Sequence, residues 1–142
     1  MRQTSCAFYK DLYKLTLAGG AAFWTTDFVM SVSPIASEDR AAFSISYLPM
    51  ALVGALVGGL IIGCCVSYTL LRFFDKIPAK TPILKALLLS FVALVLIEVL
   101  STVINPSNAS VYLLLDTGMN VPRFLALGLV IGYLYERPYG GT

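Results

Sequence analysis

The chain contains no histidine. That removes the side chain most often used to hold zinc, copper or haem iron, and the usual proton acceptor near neutral pH. Cysteine is scarce too. Cys6, Cys64 and Cys65 are the three present, and no two have the CxxC spacing of a metal or redox site. Adjacent cysteines such as Cys64 and Cys65 rarely bridge, because the geometry is strained. Both fall in an apolar run, where small buried thiols are expected. Charge is the third shortage. Only 13% of residues are charged, about half the share found in a soluble domain. The net charge of +2 is small and dispersed, which excludes the basic footprint of a nucleic-acid-binding protein. No P-loop, GxGxxG or HExxH motif occurs. No catalytic set, no cofactor and no metal is therefore expected.

What the chain has instead is apolar length. Hydrophobic residues make up 58% of it, enough to make a soluble domain of this size aggregate through exposed apolar surface. A membrane-crossing helix needs about 20 mostly apolar residues. Four segments qualify: 12–33, 49–74, 82–104 and 111–135. The gaps between them, "SPIASEDRAAFSISYL", "DKIPAKT" and "NPSNAS", collect the proline, serine, asparagine and charge that break helices. The first gap suggests a short interfacial helix capped at Ser37. The first apolar run leads only to further apolar segments, unlike a cleaved signal peptide. A single integral membrane domain over 1–142 is expected.

Charge placement orients those segments. Arg2, Lys10, Lys14, Arg72, Lys76, Lys80, Lys85 and Arg137 fall on one side of the alternating topology, and Arg40 alone on the other, beside Glu38 and Asp39. Basic residues are retained on the cytoplasmic side. The sequence thus predicts an all-α four-transmembrane-helix bundle with both termini cytoplasmic, a multi-pass protein of the plasma membrane (the inner membrane of a prokaryote).

Glycine spacing indicates how the helices meet. Gly54 and Gly58 form one ridge of the second helix, and Ala55, Gly59, Gly63 and Ser67 form another. Small residues four apart let helix backbones approach closely in lipid, where apolar contact alone gives no preference. Two ridges predict two neighbours and a central place for this helix. Gly128 and Gly132 in the fourth helix, and Ala18 and Ala22 in the first, offer matching patches. The same ridges suit either packing within one chain or a seam to a second copy or partner membrane protein.

The remaining polar residues are out of place in hydrocarbon. By helical rise, Asp27, Glu98 and Asp116 fall roughly 7–10 Å to the outer side of the midplane. Arg123 lies near the midplane, with a side chain long enough to reach that layer. Asp116, Asn120 and Arg123 occupy an arc of about 60° on the fourth helix. Such a stripe must face protein or water, since a charge facing lipid is costly. Pro122 removes one helical hydrogen bond and clashes with the carbonyl of Gly118. A kink or short break near Gly118 and Pro122 is therefore expected.

Asp27, Glu98, Asp116, Asn120 and Arg123 form the candidate site, as an ion or solute site or as a buried polar cluster. One reading is a small transporter or channel-like protein for a proton, cation or small polar solute. A second is a structural or accessory subunit whose charges are packing pairs. A third, an intramembrane acid–base hydrolase using two carboxylates, is weakened by the absence of a GxGD motif.

Overall fold

The computed structural model describes residues 5–34, 48–104 and 109–139. They form four α-helices: α1 (Ser5–Ser31), α2 (Leu48–Phe73), α3 (Pro82–Ile104) and α4 (Ala109–Tyr139). A 3-10 turn, Phe74–Lys76, continues α2. No strand occurs among the described residues. The interfacial helix expected at Ser37, with Glu38, Asp39 and Arg40, lies outside them.

Three stretches are long and apolar enough to cross a membrane: Pro49–Lys76, Pro82–Ile104 and Leu113–Arg137. The sequence called for four. α1 has the length, 27 residues, or about 40 Å at 1.5 Å per residue. It falls short in apolarity because Lys10, Asp11, Lys14, Thr16, Thr25, Thr26 and Asp27 all lie within it. It also begins well before residue 12. Apolarity marks where a helix can sit in lipid, while lysine is a good helix former and carries α1 past that limit.

Each helix buries a stripe in which residues recur every fourth position. In α1 it is Leu15, Gly19, Phe23 and Asp27. In α3 it is Ala86, Ser90, Leu94 and Glu98. In α2, Gly59, Gly63 and Ser67 are buried, and in α4 Asn120, Phe124, Gly128 and Gly132. Rows at i±4n form the surface ridges through which helices interdigitate. Outside the stripes the surface is apolar, with Val57, Ile61, Leu96, Val99 and Leu114 exposed. That is the inverse of a soluble helix, whose outer face is polar.

The packing order corrects the central place expected for the second helix. α1 packs along α2 and α4, and α4 along α3, while α2 makes a slighter contact with α3. α1 and α4 are therefore the inner helices. The reason lies in the two glycine ridges of α2, of which one is used. A Cβ added at Gly63 would lie 3.2 Å from the Thr16 carbonyl oxygen and 3.3 Å from the Gly20 amide nitrogen, so the α1 and α2 backbones nearly touch there. A Cβ at Gly59 would meet Phe23 at 2.9 Å, whereas one at Gly54 or Gly58 would meet nothing within 4 Å. The α3–α4 seam is equally close, since a Cβ at Gly132 would lie 2.5 Å from Ile83 Cα.

Two further expectations change. α4 runs as one helix through Gly118 and Pro122, so of the kink or short break expected there, the break does not occur. Proline removes a single hydrogen bond, and the turns on either side keep theirs. Cys64 and Cys65 are exposed, because they sit on the part of α2 turned away from its glycine seam with α1.

Candidate functional site

At one end of the bundle, three of the core stripes turn polar and coincide. Asp27 from α1, Glu98 from α3 and Asn120 from α4 are each at least nine-tenths buried. Asn120 joins them. Its Nδ2 group donates to Glu98 Oε1 at 3.1 Å and to Asp116 Oδ1 at 3.1 Å. Its Oδ1 accepts from Arg123 Nη1 at 2.9 Å. The amide therefore has one chemically sensible orientation, NH2 toward the two carboxylates and oxygen toward the guanidinium. Arg123 Nη2 forms an ion pair with Asp27.

All five charged and amide residues singled out from the sequence thus meet in one network across α1, α3 and α4. α4 supplies Asp116, Asn120 and Arg123 from one face because positions 0, 4 and 7 nearly eclipse on a helix. α3 presents Glu98 as the last member of its four-residue stripe, and Thr102 Oγ1 donates to the Glu98 carbonyl oxygen at 2.9 Å. Directly inward lies an apolar layer. Phe23 and Phe124 meet edge-to-face at 5.4 Å, with Leu94 buried nearby.

The electrostatic balance of the network is uneven. Three carboxyl groups face one guanidinium, a formal −2 when all are ionised. Two atoms have no hydrogen-bond partner among the described residues, Glu98 Oε2 and Arg123 Nε. An unsatisfied buried polar atom costs about 1–3 kcal/mol, more if charged. Glu98 Oε2 is thus a buried acceptor that no described residue satisfies. Among the described residues no group of three metal-ligating side chains is arranged to hold a metal ion.

Of the packing glycines, Gly59, Gly63, Gly128 and Gly132 lie at helix contacts, and Gly54 and Gly58 face open space. Sequence reasoning passed over Gly19 and Gly20, at the centre of the α1 contacts. A Cβ at Gly19 would lie 2.7 Å from Ile131 Cδ1 and one at Gly20 2.6 Å from Leu60 Cδ2. The signal for Gly19 was the four-residue series Leu15, Gly19, Phe23, Asp27. Lys85, grouped from the sequence with the basic residues of one side, is buried. Its Nζ donates to the Phe74 carbonyl at 2.6 Å and sits 3.6 Å above the Phe74 ring, which stacks on Tyr135 at 4.9 Å. This ties the turn after α2 to α3 and α4 at the end of the bundle remote from Asp27.

Comparison with protein-family models, with curated proteins and with solved structures finds no match. The class is therefore set by the fold alone. This is an all-helical protein built as a membrane protein, with three helices fit to cross the bilayer.

Proposed function

We propose that the chain is a small four-span membrane transport protein in which the cluster around Asn120 binds a proton or other small cation from the outer side. Glu98 carries that role, with Asp27 and Asp116 completing the negative site. Asn120 couples the two carboxylates of α3 and α4, and Arg123 sets the balance of charge. The observation that supports this most directly is the unsatisfied Glu98 Oε2 inside a cluster whose formal charge is −2. Ionisable residues within membrane segments mark ion pathways and proton relays.

The fourth span is α1. Its position between α2 and α4 turns Asp27 and Phe23 inward. Its outward hydroxyls are satisfied locally, since Thr25 Oγ1 and Thr26 Oγ1 donate to the carbonyls of Ala21 and Ala22 at 2.8 Å. Trp24 Nε1 donates to the Leu52 carbonyl of α2 at 3.1 Å. A helix with its polar groups so disposed crosses lipid at less apolarity than a lone one. Self-association belongs to the same reading, through the open Gly54 and Gly58 ridge.

A structural reading has its own support in the Asp27–Arg123 pair and the apolar layer beneath it. Buried ion pairs can fix an arrangement without adding stability. Reconstitution separates the two. Liposomes carrying the protein should show proton or alkali-cation flux above empty liposomes, lost in Glu98→Gln. That variant keeps the oxygen that accepts from Asn120, so its unfolding midpoint should stay near wild type. Flux equal to empty liposomes for the wild-type chain would leave the structural reading standing alone.

A further inference from the structure

Glu98 is 7% exposed, and its Oε2 lies buried without a hydrogen-bond partner among the described residues. Four other oxygens of the cluster are already faced by N–H groups. Glu98 Oε1 and Asp116 Oδ1 each accept from Asn120 Nδ2 at 3.1 Å, and Asn120 Oδ1 accepts from Arg123 Nη1 at 2.9 Å. Asp27 Oδ1 pairs with Arg123 Nη2. The charged groups about Glu98 are therefore Asp27 from α1, and Asp116 and Arg123 from α4. α2 brings none, since its one charged residue, Arg72, lies in its last turn.

We propose that the occupant of this site is a proton carried on Glu98 Oε2, to the exclusion of alkali and divalent metal ions. This rests on the reading above of the cluster as a cation site, and narrows the cation to one. Valence and space separate the candidates. A proton takes one lone pair of one oxygen and adds no volume, and one buried oxygen is what Oε2 supplies. A metal ion needs a shell. Ca2+ takes about six to eight oxygen ligands and Mg2+ a near-octahedral set, and K+ is held where rings of carbonyl oxygens replace its water. Here the Asn120 amide hydrogens and the Arg123 guanidinium turn their positive ends toward the oxygens that a metal would use. Among the described residues no three metal-ligating side chains are grouped to hold an ion. Loading forms one O–H bond at Oε2 with a proton given up by hydronium, which leaves as water. The formal charge of three carboxylates and one guanidinium falls from −2 to −1, and unloading returns the electron pair to Oε2. Asp116 is the least buried of the three carboxylates, so solvent meets the cluster first at its side chain.

The test uses the full chain in liposomes. Proton influx down an imposed pH gradient is read by a trapped dye, with the charge balanced by potassium and valinomycin. Uptake of labelled Na+, Rb+ and Ca2+ is followed in separate samples free of ionophore. Proton influx above that of empty liposomes is the expected result, lost in Glu98→Gln, with metal-ion uptake equal to that of empty liposomes. Metal-ion uptake that exceeds this level and is lost in Glu98→Gln overturns the proposal and leaves the transport reading intact. Infrared spectra of the protein in lipid films test the proton directly. Between alkaline and acid buffer, a protonated-carboxyl C=O component should appear that shifts in D2O, vanishes in Glu98→Gln and persists in Asp116→Asn. With that component present and no flux of any ion, the transport reading falls and proton binding at Glu98 stands. No such component, or one lost in Asp116→Asn and kept in Glu98→Gln, overturns the proposal whatever the flux.

Discussion

Arg123 and Asn120 decide what the buried cluster costs. Removing one member of a buried ion pair leaves an uncompensated charge, which destabilises by about 3–5 kcal/mol. Arg123→Met should therefore lower stability by about that amount in a denaturant titration in mixed micelles, since it removes the guanidinium paired with Asp27. Asp27→Leu combined with Arg123→Met should recover most of the loss, because neither charge then remains. A double variant as weak as the single would show that Arg123 acts through Asn120 rather than Asp27. At this scale the sequence was informative. Helical phase on α4 and depth along α1 and α3 placed five polar residues together without any knowledge of helix contacts. It did not reveal which atoms would lack partners, because hydrogen bonding depends on rotamers that only the neighbouring helix selects. Lys85 was misread for a related reason. Its position in the first turn of α3, three residues after Pro82, marks a helix end, and only the return of Phe74 over it makes that end an interior.

Among the elements, the glycine ridges separate into used and unused. Gly132→Ala forces a Cβ against the backbone of α3 at Ile83, and overpacking of this kind costs about 1–3 kcal/mol. Gly58→Ala meets nothing and should raise stability slightly, since alanine is preferred over glycine in a helix by about 0.5–1 kcal/mol. The two variants measured by the same unfolding assay should move in opposite directions. A loss at Gly58 that depends on protein concentration would instead show a second copy seated on that ridge. Spacing alone could not rank the ridges of α2, because Gly54 with Gly58 and Gly59 with Gly63 repeat identically. What separates them is Phe23 and Gly20 on α1, residues of another segment altogether. The expected break at Pro122 failed on similar grounds, since the cost of a missing hydrogen bond is local and buried packing, of Met119 before it and Phe124 after it, holds the helix on both sides.

For the whole molecule, the number of crossings is the testable quantity. Four spans place both termini on one face, and three place them on opposite faces. Single cysteines introduced near each end, in a background with Cys6, Cys64 and Cys65 replaced, should show the same accessibility to an impermeant thiol reagent in sealed vesicles. Opposite accessibility would leave α1 lying against the membrane rather than through it. Apolarity made the membrane class legible at once. The arrangement of the helices was not legible, because chain order suggests neighbours in sequence and the bundle joins its first helix to its last.

That pairing of α1 with α4 has a consequence for biosynthesis. Asp27 is made early and Arg123 nearly a hundred residues later, so the carboxylate waits through the insertion of two further helices before its counter-charge arrives. A nascent chain halted after Ile104 holds Asp27 and Glu98 without the asparagine and guanidinium that close the network. Burial of Asp27 and Glu98 in this network therefore waits for α4, the last of the described helices to be made.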